Sequence, residues 1–255
     1  MGALDGVDLA AGRWAVDVVE STGSTNADLA ERARAGAPGW RALVAAEQTA
    51  GRGRMTRTWS SPPGTSVSLS VLLRPRRAVT EWGLLPLLTG LGVARALGTL
   101  GAEAVLKWPN DVLLPNDDER KVCGILAELV TAPAPGVVLG MGINVGQQRG
   151  ELPVDTATSL RLVGVDVTRP QVVSAVLTEL EEVYGTWESY GWAALEADYT
   201  AACVTLGRMV RVEVPDGPAV LGTAAAITWD GRIVVRTLQG ERAFAAGDVH
   251  HLRAI

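Results

Sequence analysis

One stretch decides the fold class: residues 107–130 read KWPNDVLLPNDDERKVCGILAELV. Two apolar runs, 111–114 and 121–130, are separated only by the polar tip 115–120. A short polar connection between two apolar runs favours antiparallel neighbours in one sheet, whereas parallel neighbours need a long crossover. The stretch therefore predicts a hairpin with an apolar strand on each side of the tip.

The segments on both sides continue this pattern. Ser66–Leu73 alternates serine with valine and leucine, which predicts a strand, and further strands are predicted at 14–20, 43–47, 104–107 and 137–145. Helical spacing predicts a helix at 26–35 capped by Thr25 and Asp28, a buried core helix at 81–100, and one or two helices at 170–202 that break near Gly185 or Gly191. Because strands and helices come in runs and not in strict alternation, we expect an α+β fold with a mixed sheet.

The chain changes character at Leu206. From there on, short β-rich runs are separated by turn pairs such as Asp230-Gly231 and Gln239-Gly240. About five short strands in some fifty residues predict a small β-barrel of the SH3-like kind. We therefore divide the chain into a first domain at 1–205 and a C-terminal domain at 206–255.

Composition excludes several classes of protein. Apolar residues make up 47% of the 255, and the formal charge of −5 argues against a dedicated polyanion binder. Cys123 and Cys203 are too few for a zinc knuckle or a disulfide scaffold. No signal peptide is visible at 1–15, and the most apolar stretch, 82–100, contains Pro86 and Arg95. We therefore predict a soluble cytoplasmic protein without a membrane partner.

The most unusual segment is a glycine- and arginine-rich loop. Residues 48–57 read QTAGRGRMTR, with three arginines within six residues in a chain that is acidic overall. Glycine lets backbone N–H groups approach a phosphate, and arginine supplies a fork of donors that keeps its charge near neutral pH. The loop predicts an anion-binding site, but its spacing alone is as typical of a solvated basic loop or an RNA-binding segment.

A second segment packs polar groups into a turn between apolar strands. Lys107, Asn110 and Asp111 lie within five residues. Polar groups amid apolar sequence need partners, and a nucleotide site would use Lys107 on phosphate and Asn110, with Asp111, as oxygen ligands of Mg²⁺. The alternative is a polar turn capped by its own side chains.

Two strands carry glycines where a ligand would need space. Lys121 opens the apolar run that contains Gly124, and 140–145 reads GMGINV with Gly140 and Gly142 two residues apart. Glycines at this spacing leave one face of a sheet bare, either for a flat ligand or for close helix packing. Lys121 either faces that ligand or protects a sheet edge.

These segments together resemble the biotin protein ligase family. The resemblance runs through Ser24-Thr25-Asn26, the GRGR loop, KWPND, KVCGIL, GMGINV and the β-rich tail, so it covers most of the chain. It implies an α+β catalytic domain related to lipoate ligases, with a small SH3-like C-terminal domain. It also implies that biotin and ATP, with Mg²⁺, react to biotinyl-5′-adenylate, and that biotin then passes to a lysine of a biotin carboxyl carrier protein.

The resemblance assigns roles residue by residue. The biotin ring system would be bound by Ser24, Thr25, Asn26 and Gln48, and the biotin pocket would be lined by Gly124. The biotin carboxylate and adenylate phosphate would lie along Arg52, Gly53 and Arg54, adenine would stack on Trp59, and Lys121 would face the reacting carboxylate and α-phosphate. Asn110 and Asn144 would approach nucleotide or metal, with Gly51, Lys107 and Gly142 as further binding residues. Arg52, Arg54 and Lys121 would be catalytic because they place positive charge where two anions must meet. No side-chain nucleophile is needed, and we interpret His250 and His251 as surface residues.

Two departures from the family pattern stand out. Thr56 replaces a glycine in the second half of the arginine loop, and a β-branched residue strains any left-handed backbone there. Fewer than twenty residues precede the first predicted strand, so we expect no N-terminal DNA-binding domain and no DNA partner. The rival interpretations are a lipoate ligase or another acyl-adenylating enzyme of the same fold and, from a different class, a nucleic-acid-binding module. We expect a monomer or a homodimer.

Overall fold

The computed structural model describes residues 12–54, 57–60, 62–213, 217–245 and 247–252. Its twelve strands are β1 Ala15–Thr22, β2 Arg41–Gln48, β3 Ser66–Leu73, β4 Val105–Lys107, β5 Asp111–Leu114, β6 Arg120–Val130, β7 Gly136–Asn144, β8 Met209–Glu213, β9 Val220–Ile227, β10 Ile233–Thr237, β11 Gly240–Phe244 and β12 Asp248–His251. The four α-helices are α1 Thr25–Arg34, α2 Leu85–Thr99, α3 Arg169–Tyr190 and α4 Glu196–Ala202. Thr56 and residues 1–11, which form most of the segment in which no signal peptide was predicted, lie outside the described residues.

The first seven strands form one mixed sheet in the order β1-β2-β3-β7-β6-β5-β4. Only β1 and β2 run parallel among the pairs described, and the predicted hairpin is the antiparallel pair β5–β6. The α+β class with a mixed sheet is confirmed.

The sheet is covered on both faces. α1 packs Leu29 and Ala33 against Leu43 and Leu72 of the central strands. The opposite face, which carries Val67, Leu69 and Val71, packs with α2 and α3 into the larger core. Because β3 is covered on both sides, all eight of its residues are buried, and its serines lie inside the protein. This positions polar groups beneath α1.

Helix ends differ from the predictions for physical reasons. The predicted helix at 81–100 is a 3-10 turn at Val79–Leu84 followed by α2, because Pro86 favours the first turn of a new helix. Ser24, and not Thr25, caps α1, since the Thr25 hydroxyl is bonded to Gln48. α3 continues through Gly185 and ends at Gly191, whose φ of 77° permits the turn.

The C-terminal domain is a five-stranded antiparallel sheet in the order β11-β10-β9-β8-β12. Its SH3-like character agrees with the prediction, although the described pairings do not join β11 to β12 into a closed barrel. Trp108 ties this sheet to the first domain, because its indole N–H donates to the Gly231 carbonyl at 3.1 Å. Its backbone N–H donates to Thr205 Oγ1, just before the C-terminal domain, also at 3.1 Å. The predicted boundary near Leu206, in the connection between α4 and β8, stays a prediction. In the described part of the chain, no helix combines the length and apolarity that a membrane crossing requires.

Candidate active site

A cleft of about 1640 Å³ runs between the mixed sheet and the C-terminal domain. All but one of the residues assigned to the site by sequence line this cleft: Ser24, Thr25, Asn26, Gln48, Arg52, Gly53, Arg54, Trp59, Lys107, Asn110, Lys121, Gly124, Gly142 and Asn144. Gly51 is the exception. Its carbonyl accepts a hydrogen bond from the backbone N–H of Trp59 at 2.9 Å, and a Cβ on Gly51 would meet the Trp59 carbonyl oxygen.

One end of the cleft is a buried cluster of neutral polar groups at the start of α1. Gln48 Oε1 accepts from both the N–H and the hydroxyl of Thr25, at 2.9 and 3.0 Å. Ser70 Oγ lies 2.7 Å from both Thr25 Oγ1 and Asn26 Oδ1. Since Thr25 and Asn26 sit in the first turn of α1, the helix start and β3 together fix their orientation. The cluster offers both donors and acceptors to a small polar ring.

Next to this cluster the sheet surface is bare. Gly124 of β6 and Gly142 of β7 are register partners, so their missing side chains open one continuous patch. The Trp59 indole covers that patch: a Cβ on Gly142 would lie 2.3 Å from Trp59 Cε2, and one on Gly124 would lie 3.2 Å from Trp59 Cζ3. The indole N–H is buried without a hydrogen-bond partner among the described residues. Trp59 was assigned to adenine, but here its ring lies on the surface assigned to biotin.

The loop arginines bind three different partners. Arg52 forms an ion pair with Glu128 at 3.1 Å, and the same carboxylate accepts from Asn26 Nδ2 at 3.0 Å. Arg54 donates to Asn110 Oδ1 at 3.1 Å, and burial lowers the pKa of its guanidinium. Arg57 forms an ion pair with Asp248.

Lys121 lies at the other side of the bare patch. Its ammonium is 2.5 Å from Asp111 Oδ1, 5.9 Å from the Trp59 ring centroid, and close to the position that a Cβ on Gly124 would take. The charge of Asp111 also acts on Arg54. Cations from the loop and from β6 therefore face the same cleft, separated by the tryptophan ring and the glycine patch.

The two asparagines assigned to nucleotide or metal are held by the fold. Asn110 Nδ2 donates to the Ile125 carbonyl at 2.8 Å, which turns its Oδ1 toward the cleft and Arg54. Asn144 Nδ2 donates to the Thr158 carbonyl at 2.9 Å, and its Oδ1 accepts from Gln147 at 3.0 Å. Among the described residues, no group of three or more His, Cys, Asp or Glu side chains could hold a metal ion.

The interpretation of both terminal histidines as surface residues was wrong for His251. Its Nε2 lies 3.0 Å from Thr205 Oγ1, and its Nδ1 lies 3.3 Å from Arg208, a permanent donor. Burial, together with the positive charges of Lys107 and Arg208, lowers the pKa of His251 to about 4. The ring is therefore neutral near pH 7, and it lines the cleft. Nothing in a polar His-His dipeptide at a chain end signals this burial.

Sequence reasoning also missed several partners of the predicted residues. Ser70, Glu128 and Asp248 each hold a side chain that had been assigned to the site or to its loop. The serine alternation of β3 could have pointed to Ser70, because polar residues on a doubly covered strand need partners. Asp248 follows the loop by nearly two hundred positions, and no local pattern connects them.

Comparisons with known proteins agree with this geometry. The chain matches the biotin/lipoate A/B protein ligase family over residues 18–144 and the biotin protein ligase C-terminal domain over residues 205–252. It is 43% identical over 245 residues to the biotin–[acetyl-CoA-carboxylase] ligase of Mycobacterium tuberculosis, covering 93% of this chain and 89% of the relative. It is 31% identical to the bifunctional ligase/repressor BirA of Bacillus subtilis, covering 91% of this chain and 72% of that protein.

The fold comparison points the same way. The structure of the Aquifex aeolicus biotin protein ligase in complex with biotin and ATP superimposes with a TM-score of 0.78 at 29% identity. That alignment covers 94% of this chain and 99% of the Aquifex chain.

Proposed function

This chain belongs to the biotin/lipoate A/B protein ligase family, and we propose on that basis that it is an ATP-dependent biotin protein ligase. It activates biotin as biotinyl-5′-adenylate, releases pyrophosphate, and transfers biotin to a lysine of a biotin carboxyl carrier protein or domain in the cytoplasm. The observation that carries the choice of biotin is the neutral polar cluster of Thr25, Asn26, Gln48 and Ser70 at the start of α1, in which the first three residues line the cleft and Ser70 lies behind them.

This cluster suits the ureido ring of biotin better than the dithiolane ring of lipoate. The ureido group has two N–H donors and one carbonyl acceptor, and the cluster contains hydroxyl and amide groups that can pair with both kinds. A dithiolane would bury these groups against sulfur and carbon, and unpaired buried polar groups discriminate strongly against a ligand. The cluster therefore favours biotin over lipoate as the substrate.

The bare patch then receives the valeryl chain of biotin. Gly124 and Gly142 carry no side chains, but the Trp59 indole lies directly on both of them in this structure, so the ring would have to move aside for the alkyl chain and would then supply an apolar wall beside it. With the ring held at one end and the chain along the patch, the carboxylate is directed toward Lys121 and the arginine loop. Orientation of this kind replaces a bimolecular encounter by a prearranged one.

Adenylate formation requires the biotin carboxylate to attack the α-phosphorus of ATP. Lys121, Arg54 and Arg52 place positive charge around the two anions and stabilise the charge that builds up as pyrophosphate leaves. Asn110 and Asp111 both line the cleft, and their oxygens would hold a hydrated Mg²⁺ ion, which would supply further positive charge to the phosphates of ATP. Lys107 contacts the phosphates from the floor of the cleft.

The reaction needs no covalent enzyme intermediate. Burial raises the pKa of the Cys123 thiol far above neutrality, so this cysteine beside Gly124 is inert. The acceptor lysine attacks the mixed anhydride directly, its amine forms the amide bond, and AMP leaves with the electron pair of the broken bond. In the structure, the Lys121 ammonium pairs with Asp111 at 2.5 Å. A bound phosphate would replace Asp111 as the partner of Lys121.

Mass spectrometry of a biotin carboxyl carrier domain incubated with the protein, biotin and ATP tests the proposal. We expect one biotinyl group on one lysine, and no product when lipoate replaces biotin. Lipoyl transfer in place of biotinyl transfer would favour the rival ligase. Binding of single-stranded nucleic acid without adenylate formation would favour the binding-module interpretation.

A further inference from the structure

The three loop arginines differ in the charge of their partners. Arg52 and Arg57 each face a carboxylate, Glu128 and Asp248. Arg54 instead donates to two neutral oxygens, Asn110 Oδ1 at 3.1 Å and the Gly247 carbonyl at 3.4 Å. Among the described loop arginines, Arg54 alone forms no ion pair, although the charges of Asp248 and Asp111 act on it, so a phosphate entering the cleft would gain a direct ionic partner.

Arg54 and Arg57 reach two consecutive residues of the C-terminal domain, since Arg54 donates to the Gly247 carbonyl and Arg57 pairs with Asp248. Gly247 and Asp248 stand at the start of β12, which pairs with β8 in the register Asp248↔Glu213. Gly247 has a φ of 152°, and a Cβ there would lie 2.8 Å from the Glu213 carbonyl oxygen. The backbone at this point is therefore fixed by β8, so the acceptors offered to the loop are rigid.

The ion pair of Arg57 with Asp248 affects the electrostatic environment of the Arg54 guanidinium. Two guanidinium groups three residues apart repel each other, and the Arg57 charge lowers the pKa of Arg54 while the Asp248 charge raises it. Asp248 has only 24% of its side chain exposed, so its interaction is partly shielded from solvent screening. Without its carboxylate, Arg57 would be unpaired beside a half-buried like charge.

We propose that Asp248 is a positioning residue for adenylate formation: it anchors Arg57 on β12 and thereby keeps the Arg54 guanidinium beside Asn110, where the nucleotide phosphate binds. The proposal rests on the proposed ligase function and gives the C-terminal domain a defined part in it. Asp248 acts through the loop and does not touch biotin, whose ring site lies at the other end of the cleft.

The test measures steady-state adenylate formation by Asp248→Asn, by Arg57→Gln and by the charge-swapped double variant Arg57→Asp with Asp248→Arg. We expect each single variant to raise the KM for ATP roughly fivefold, about 1 kcal/mol, with the KM for biotin within about twofold of the wild type. The swapped pair should recover most of the loss. Because Arg57→Gln breaks the same contact from the loop side, the test survives if Asp248→Asn fails to fold.

Glu241→Gln is the matched control. It removes the ion pair between Glu241 and Arg236 in the same domain, where both side chains are more than half exposed. We expect it to leave both KM values unchanged. An unchanged KM for ATP in folded single variants, an equal rise in both KM values, or a swapped pair that recovers nothing would each overturn the assignment of Asp248. A wild-type protein that forms no biotinyl-adenylate would instead refute the ligase function itself.

Discussion

Replacing Gly142 by alanine should weaken biotin binding without unfolding the protein. The added Cβ would lie 2.3 Å from Trp59 Cε2 and 2.6 Å from Trp59 Nε1, whereas ordinary contacts begin at 3.4 Å. The backbone N–H of Trp59 is bonded to the Gly51 carbonyl, so the backbone stays in place and the indole can make room only by turning about its side-chain bonds. The methyl group would therefore push the indole off the glycine patch and into the cleft, where the valeryl chain is proposed to lie.

The expected loss of biotin affinity follows from the free-energy cost of overpacking. Inserting a methyl group into a filled site costs about 1–3 kcal/mol, which corresponds to roughly 5- to 150-fold weaker binding. Isothermal titration with biotin measures this loss, and thermal unfolding shows whether the fold persists. Gly142 lies on β7 in the middle of the sheet and has no positive φ, so alanine fits its backbone.

Gly146→Ala is the control for this variant. A Cβ on Gly146 would come no closer than 3.8 Å to any neighbour, so its biotin affinity should equal that of the wild type. If Gly142→Ala binds biotin as tightly as Gly146→Ala, the glycine patch is not the ligand surface and the account of the cleft is wrong.

Lys121→Gln should slow adenylate formation by about 100-fold or more with little change in biotin affinity, because it removes charge needed chiefly in the transition state; a pyrophosphate-exchange rate within tenfold of the wild type would contradict this. His251, whose folded pKa of about 4 lies below its usual 6.5, keeps its full contribution to stability above pH 6.5 and loses it as the pH falls toward 4, by at most about 3 kcal/mol. Urea unfolding at pH 7 and pH 5 measures this loss, which His251→Asn should diminish; an equal pH dependence in both proteins would rule it out. Gly185→Ala should stabilise the protein by about 0.5–1 kcal/mol, since Gly185 lies inside α3 with no neighbour within 4 Å of a Cβ; a lower melting temperature would show that α3 needs the glycine.

The strands of this protein were predictable because local patterns decide them. Ser66–Leu73 alternates over its whole length, and β3 has these bounds in the structure. The hairpin of β5 and β6 also follows from its polar tip, since a short connection leaves antiparallel pairing as the available geometry. β12 was not placed individually, because Asp248–His251 contains three polar residues and one valine.

The site was predictable only as far as its motifs extend. The arginine loop, KWPND and the glycine strands name the residues that the fold gathers into one cleft, and their common location follows from the sheet order β3-β7-β6-β5. The partners of those residues depend on distant packing. Glu128 and Asp248 meet the loop only because the sheet and the C-terminal domain bring them there, and neither contact has a signal within a local window of sequence.

The position of Trp59 shows the same limit. The motif identified an aromatic residue that binds ligand, but its ring orientation depends on the space left by Gly124 and Gly142 on two other strands. Its buried indole N–H has no partner among the described residues, and unpaired polar groups of this kind are rare in folded proteins. A bound ligand could either move the Trp59 ring or accept a hydrogen bond from the indole N–H, and in both cases this N–H would no longer be buried without a partner.

A crystal structure of the protein with biotinyl-5′-adenylate tests the central claim most directly. We predict that the Arg54 guanidinium and the Lys121 ammonium both lie within about 3 Å of oxygens around the α-phosphorus, with Lys121 turned away from Asp111. A phosphate bound outside the cleft, or one that leaves Lys121 paired only with Asp111, would contradict the convergence of these two cations on a single reacting centre.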